Sequence, residues 1–193
     1  MSDGTIVFLD AGSSIRFPVA FVCAERKVYM TGQAWFDVKH NEKMPFKVMA
    51  NGIEINDLGT QFNVNAFEDE RVVRTTLIEG ALSIHADRKS VVIKPGQQGI
   101  VAGEVFQVIQ AHLGDVMAWK NGFFSFRHSS TRDMMRQLSR WYDVEVLYEG
   151  SVAGQAFTGK IDRSLSLNEV LKILEQTGVR FKMEGERKIR IFP

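Results

Sequence analysis

Ser130-Thr-Arg-Asp-Met-Met-Arg-Gln-Leu138 and Ser166-Leu-Asn-Glu-Val-Leu-Lys-Ile-Leu174 open alike, 36 residues apart. In each, a serine precedes an apolar run and an acid stands three residues later. The serine oxygen can accept from a free amide of the first helical turn while the acid reaches back, so both are capping boxes. Met134, Met135, Leu138, Trp141 and Tyr142 fall at helical spacing, as do Leu167, Val170, Leu171 and Leu174, which predicts two helices each burying one face. Around them, 123–126, 144–148, 157–161, 179–183 and 188–192 alternate or run apolar in short stretches, as strands do. Residues 123–193 therefore read as one strand–helix–strand unit written twice, a small α+β domain. Such a unit offers sheet edges and helix faces, with no cavity lined by catalytic groups, and its expected use is contact with another protein.

Upstream the punctuation changes. Short apolar segments separated by Gly12, Gly32, Asn51-Gly52, Gly59, Gly80, Pro95-Gly96 and Gly103 give all-β spacing over 4–109. Expected strands include 6–9, 28–30, 34–38, 46–50, 53–58, 62–66, 72–78, 81–85, 91–93, 99–101 and 105–109. Asn51-Gly52 suits a two-residue type I′ hairpin, which needs positive φ at both positions, and Glu79-Gly80 is expected to close another. The first domain, 1–111, is thus read as two-sheet, either a sandwich or solenoid-like, joined through a short link at 112–122 to the second domain at 123–193. The fold class is mainly β followed by α+β.

The chain has 193 residues, 45% of them hydrophobic and 24% charged, enough to bury a core in each domain. Its net charge of +1 divides into −2 for residues 1–111 and +3 for 112–193, too little in either half to argue for nucleic acid. The single Cys23 can form no internal disulfide and fixes no compartment. The longest apolar run, Phe17 to Ala24, is far short of the roughly 18 residues a membrane helix needs. The opening Met1-Ser2-Asp3-Gly4 lacks a basic, apolar leader pattern and enters a strand at once, as expected of a chain cut from something longer.

Candidate chemistry is sparse. His40, His85, His112 and His128 are scattered without metal-ligand spacing, so no metal or other cofactor is expected. Glu68-Asp69-Glu70 reads as a solvated turn, and Gly12-Ser13-Ser14 lacks the surroundings of a nucleophile elbow. Gly59 to Val64 has one glycine where a phosphate cradle needs several. The expectation is no enzyme and no catalytic residue.

Several ordered motifs resemble a known family. Asp3-Gly-Thr-Ile-Val-Phe-Leu-Asp-Ala-Gly-Ser-Ser-Ile-Arg-Phe-Pro18, Met30-Thr-Gly-Gln-Ala-Trp-Phe-Asp-Val38, Pro45-Phe-Lys-Val48, Leu58-Gly-Thr-Gln-Phe-Asn-Val64, Thr76-Leu-Ile-Glu-Gly80 and Lys94-Pro-Gly-Gln97 are similar to the periplasmic domain of FecR-type anti-sigma factors. Ala118-Trp-Lys-Asn-Gly122 and the doubled unit resemble the C-terminal domain of such proteins, which is STN-like. Gln33 stands where the family usually has Glu, and Asp57 where an apolar residue is commoner. The resemblance implies the periplasmic part of a membrane-anchored regulator. In such proteins a TonB-dependent outer-membrane transporter supplies the signal and an extracytoplasmic-function sigma factor receives it. The cytoplasmic segment and the transmembrane helix that the family carries are missing from this sequence. The relay that the resemblance implies ends in proteolysis that frees the sigma factor.

The doubled unit is expected to bind the transporter's signalling domain through one of two surfaces. Arg132, Arg136 and Arg140, four apart, line one side of the first helix and could steer an acidic partner. In the final segment Lys188 and Arg190 alternate with Ile189 and Ile191; at a sheet edge this strand could pair with a partner's strand. A second reading is a saccharide-binding module using Trp35, Trp119 and Trp141, although Trp141 falls on the apolar helix face and core packing is the expectation for all three.

Overall fold

The computed structural model describes residues 1–57, 59–87, 89–150, 156–176 and 178–192. The chain divides into two compact units, Met1–Met117 and Ala118–Pro193.

Unit 1 is built on eleven strands: β1 (Ile6–Leu9), β2 (Ser14–Arg16), β3 (Arg26–Asp37), β4 (Phe46–Ala50), β5 (Ile53–Asp57), β6 (Gln61–Ala66), β7 (Val73–Glu79), β8 (Leu82–Ala86), β9 (Lys89–Ile93), β10 (Gln97–Ala102) and β11 (Val105–Gln110). A one-turn helix, α1 (Leu113–Val116), follows. The long β3 belongs to two layers. Its first half, Arg26 to Met30, lies parallel to β4, and Tyr29 to Thr31 pair with β2. Its second half, Gly32 to Asp37, pairs antiparallel with β6, and Ala34 to Asp37 with β1. One layer continues β4-β5-β8-β9 and the other β6-β7-β10-β11, a single large sheet folded on itself.

Gly32 makes the passage between layers. Its φ is +83°, and a Cβ there would stand 2.4 Å from Ser13 Oγ and 2.8 Å from Ser13 Cα, so only glycine fits the bend. The expected break between 30 and 34 is therefore a bend inside one strand.

Between the layers lies an apolar core. Phe36 stacks on Phe62 with ring centroids 4.8 Å apart and meets Phe46 edge-on at 6.1 Å, while Val28, Val48, Ile55, Val64, Leu77 and Ile84 are fully buried around them. The layers interlock closely: a Cβ on Gly99 of β10 would fall 2.4 Å from Ile84 Cδ1 of β8. Alternation along β4, β5 and β8, buried at every second residue, produces this face.

The hairpin at Asn51-Gly52 holds: Ala50 pairs with Ile53 and φ is +45° and +79° at the two turn residues. Glu79-Gly80 closes no hairpin. β7 pairs with β6 and β10, β8 with β5 and β9, and Gly80 carries the chain from one layer to the other. The acid at Asp57 is 1% exposed, and its Oδ1 accepts from the Gly59 amide at 3.0 Å, which satisfies a carboxylate oxygen where an apolar residue is commoner. Leu58, the last residue of the strand expected there, lies outside the described residues, as does Arg88.

Unit 2 contains β12 (Phe123–Ser129), α2 (Thr131–Tyr142), β13 (Glu145–Tyr148), β14 (Phe157–Asp162), α3 (Leu167–Glu175), β15 (Arg180–Met183) and β16 (Lys188–Phe192). The doubled start signals are real. Ser130 and Ser166 cap α2 and α3 at φ/ψ of −68°/158° and −68°/156°, and in both boxes the acid reaches back to the cap amide. The repeats also assemble as equivalents. Their first strands, β12 and β14, pair with each other; their last, β13 and β15, flank β16 on either side. One core collects Phe124 and Phe126 from β12, Met134, Met135 and Leu138 from α2, Val170, Leu171 and Leu174 from α3, and Ile189 and Ile191 from β16.

Candidate docking surface

The arginine stripe sits where the capping box and β13 meet. α2 starts at Ser130, which puts Arg132 in its first turn, exposed, with its guanidinium carbon 4.3 Å from the centre of the Tyr148 ring on β13. Arg136, one turn on, donates to Asp133, the same acid that closes the capping box. Arg140 is partly buried a further turn along. Burial raises the Tyr148 hydroxyl above its ordinary pKa, while the nearby Arg132 and Arg136 charges pull it back down. Tyr148 thus stays a neutral platform with a cation on its face.

β13 has β16 on one side and, among the described residues, no strand on the other; β15 is in the same position across β16. The open edge beside the stripe is therefore β13: Glu145, Val146, Leu147 and Tyr148.

The final strand is not at an edge. β16 is the central strand, parallel to β13 and antiparallel to β15, so the amides and carbonyls expected to recruit a partner strand are used inside the sheet. Ile189 and Ile191 are fully buried. Lys188 Nζ lies 3.0 Å from Glu145 Oε2, and Arg190 donates to Glu184 at 2.7 and 3.0 Å and to Glu149 at 2.7 Å. The Arg190 side chain holds the Glu184 carboxyl below its ordinary range, and the pair of carboxylates raises the guanidinium's own pKa. The cations of β16 tie the sheet's three strands together across its outer face.

The aromatic residues do not form a sugar platform. Trp35 is 7% exposed beneath Phe8, with centroids 5.7 Å apart. Trp141, expected in the core, is 41% exposed. It sits near the end of α2, where its edge meets Phe124 at 6.2 Å, the Arg163 guanidinium covers its ring at 4.8 Å and its Nε1 donates to Arg163 O at 3.2 Å. Trp119, also expected in the core, is half-buried in a short 3-10 turn at Trp119–Asn121.

Among the described residues no three His, Cys, Asp or Glu side chains converge as a metal set would. What the surface offers is recognition: a guanidinium on an aromatic ring, beside an open strand edge. Tyr148 and the second role of Asp133 escaped the sequence reading. The signal for Tyr148 was its place two residues beyond Val146 on the same face of the strand.

Two family models match the chain: the FecR protein over residues 1–83 and the FecR C-terminal domain over 123–191. The chain belongs to the FecR family. The first FecR match runs from β1 into β8, and the second coincides with the doubled unit, β12 through β16. The crystal structure of a Parabacteroides distasonis protein described as a candidate anti-sigma factor, determined at 1.65 Å, is similar throughout. It is 28% identical, with a TM-score of 0.89 over 99% of this chain and 91% of that one. A second structure under the same description, at 2.50 Å, matches with the same identity and TM-score over 100% of this chain. No curated protein matches at a significant level. FecR proteins are regulatory, transmembrane anti-sigma factors with a periplasmic domain, so the chain's role is in anti-sigma signalling and implies a sigma factor as a partner. No helix among its described residues is long and apolar enough to cross a membrane.

Proposed function

We propose that this chain is the periplasmic, signal-receiving part of a membrane-anchored FecR regulator, and that its C-terminal domain binds the signalling domain of a TonB-dependent outer-membrane transporter. The signal then passes through the β domain to a membrane helix and a cytoplasmic segment that holds an extracytoplasmic-function sigma factor. On this reading the domains are 1–111 and 123–193, joined by the link 112–122. The observation that carries the proposal is that both FecR modules occur in order on one chain, which otherwise resembles an anti-sigma factor along its whole length. The chemistry agrees: Arg132, Arg136 and Arg140 suit an acidic partner, and β13 offers main-chain groups for pairing. Lys188, Ile189, Arg190 and Ile191 support this surface from within the sheet and are withdrawn as an edge-docking strand.

Calorimetry between the chain and the signalling domain of its cognate transporter tests the proposal. Saturable heat at one-to-one stoichiometry is expected. No heat with the cognate pair, at protein concentrations where both are folded, would sink it.

A further inference from the structure

β11 (Val105–Gln110) ends the larger sheet: it pairs with β10 on one side and, among the described residues, with no strand on the other. Three more strands of unit 1, β1, β2 and β9, pair on one side only, and each is blunted as exposed edges usually are. β1 and β2 are four and three residues long, and β9 opens with Lys89, whose Nζ donates to Glu104 O at 2.6 Å. β11 has none of these devices. Its six residues, Val-Phe-Gln-Val-Ile-Gln, include no charge and no proline, and its register with β10 runs unbroken from Val105 to Gln110.

The hairpin with β10 sets which backbone groups are on the open side. Ala111, just past β11, donates to Gly96 O at 2.8 Å, and along an antiparallel ladder the direction of the main-chain groups alternates. Odd-numbered residues therefore turn their amides and carbonyls toward β10, while Phe106, Val108 and Gln110 turn theirs outward. The side chains alternate as well. Phe106 packs on the core and Val108 shares that face; Val105, 65% exposed, and Ile109, 37% exposed, stand on the outer face with Gln107 between them.

The order of these side chains identifies the occupant. An edge strand takes another strand, and two copies of one strand paired antiparallel about a two-fold axis place residue i opposite j and j opposite i. Opposed residues share a face of the sheet, so i and j are both odd or both even. Centred on Gln107, β11 is its own complement: Val105 faces Ile109 of the second copy, Phe106 faces Val108, and Gln107 faces itself. Every apolar side chain then meets an apolar one on its own face. Centring the pair on Phe106 or Val108 sets Val105 or Ile109 against Gln107 and loses the match. In the Gln107 register the outward main-chain groups of Phe106 bond those of Val108 across the axis, and Glu104 comes opposite Gln110 instead of another acid. A strand shaped by an unrelated partner carries no such two-fold order.

We propose that β11 pairs with β11 of a second copy of the chain, joining two of the larger sheets edge to edge across a two-fold axis at Gln107. The contact consumes both edges, so it closes at two chains. It uses residues of unit 1 alone and does not rest on the role assigned to unit 2.

Sedimentation velocity of the 193-residue chain, from micromolar to near-millimolar concentration, should show the mass rising from one chain to two. Gln107→Lys and Gln107→Glu each set like charges face to face at the axis, and each should weaken association about fivefold. Gln107 is exposed in the single chain, so neither variant should move the melting temperature of the dilute protein. An equimolar mixture of the two should restore association, since opposite charges then face each other, which a loss of strand stability cannot do. In a Cys23→Ser background, Gln107→Cys should give a disulfide-linked dimer with a mild oxidant, because opposed residues that share no main-chain bond have Cα atoms about 4.5 Å apart. A chain that stays single at every concentration overturns the proposal. A dimer that neither charge variant weakens forms elsewhere on the chain and overturns it too. Charge variants that stay apart when mixed, or Gln107→Cys chains that do not cross-link, overturn the register. If the chain stays single and Gln107→Lys weakens its binding of the transporter's signalling domain, β11 belongs to that partner instead. Self-association and the heat of binding to that domain are separate measurements, so the two proposals fail separately.

Discussion

Arg26 Nη1 donates to Asp3 Oδ2 at 2.7 Å, and the arginine that begins β3 is 1% exposed. Its Nε donates to Met44 O and its Nη1 also to Lys39 O, both at 2.8 Å, while the guanidinium lies over the Phe46 ring at 5.4 Å. A buried cation persists only when it is paired and hydrogen-bonded, and Asp3 supplies the counter-charge. Asp3→Asn should cost about 3–5 kcal/mol, because it strands the charge of Arg26 in the core. Urea denaturation would measure it, and a midpoint equal to that of the parent chain would show the pair to be dispensable.

The same pair sets a pH dependence. Burial pushes the Asp3 carboxyl up, but hydrogen bonds from Arg26 and Thr5 outweigh it and hold the folded value below the ordinary 3.8. A carboxyl depressed on folding contributes its full stability above its unfolded value and loses it as pH falls through the folded one. The stability gap between the parent chain and Asp3→Asn should therefore be constant near neutrality and close progressively in acid, below the usual aspartate range. A gap that widened on acidification would contradict the assignment.

Ser130 and Ser166 hold matching caps, so equal substitutions should have matching effects. Ser130→Ala and Ser166→Ala should each remove about 0.5–2 kcal/mol from unit 2 and nothing from unit 1. Glu169 is held below the ordinary carboxyl range by its hydrogen bonds with Ser166, so the contribution of this box should fade as pH drops through that lowered value. Thermal melts of the two variants, followed by a probe in unit 2, provide the comparison.

If β16 is the central strand, its amides should exchange with solvent more slowly than those of β13 and β15, whose outer sides face no strand among the described residues. Ile191→Ala, at a fully buried position, should cost about 2–5 kcal/mol. Fast exchange along 188–192 would restore the terminal strand to an edge.

Arg132→Glu reverses the exposed cation over Tyr148. It should slow association with an acidic transporter domain and flatten the dependence of the rate on salt. Loss of the ring contact should cost stability by only about 0.5–1 kcal/mol. Stopped-flow association at two ionic strengths separates these effects, and an unchanged rate at low salt would remove Arg132 from the docking surface.

The local signals in the sequence proved accurate because their causes are local. A capping box needs four residues, and the Asn51-Gly52 hairpin needs two positive φ angles, so both were legible. Pairing between distant strands was not. Gly80 announces a turn, but the sequence contains nothing to say that β7 and β8 leave it into different layers. Gly32 looks like a break between strands, yet a glycine at positive φ can bend a strand and let it continue. β2, at three residues with only Ile15 partly buried, has too little alternation to register. The end of the chain suggested an edge strand because its cations alternate with isoleucines; the same alternation serves a central strand whose outer face is tied by ion pairs. Arg132, Arg136 and Arg140 were found by spacing, whereas Tyr148 beneath Arg132 depends on how α2 and β13 come together.

β3 takes part in both layers of the first domain, and its bend at Gly32 is the joint between them. Neither layer can detach while β3 stays whole, so the domain should yield as one body instead of layer by layer. A tension delivered through the residues ahead of β1 would first meet the Asp3 contact with Arg26, at the very start of that shared strand. The strand would then behave as a mechanical fuse: intact, it transmits a pull undiminished across both sheets, and once parted it releases them together.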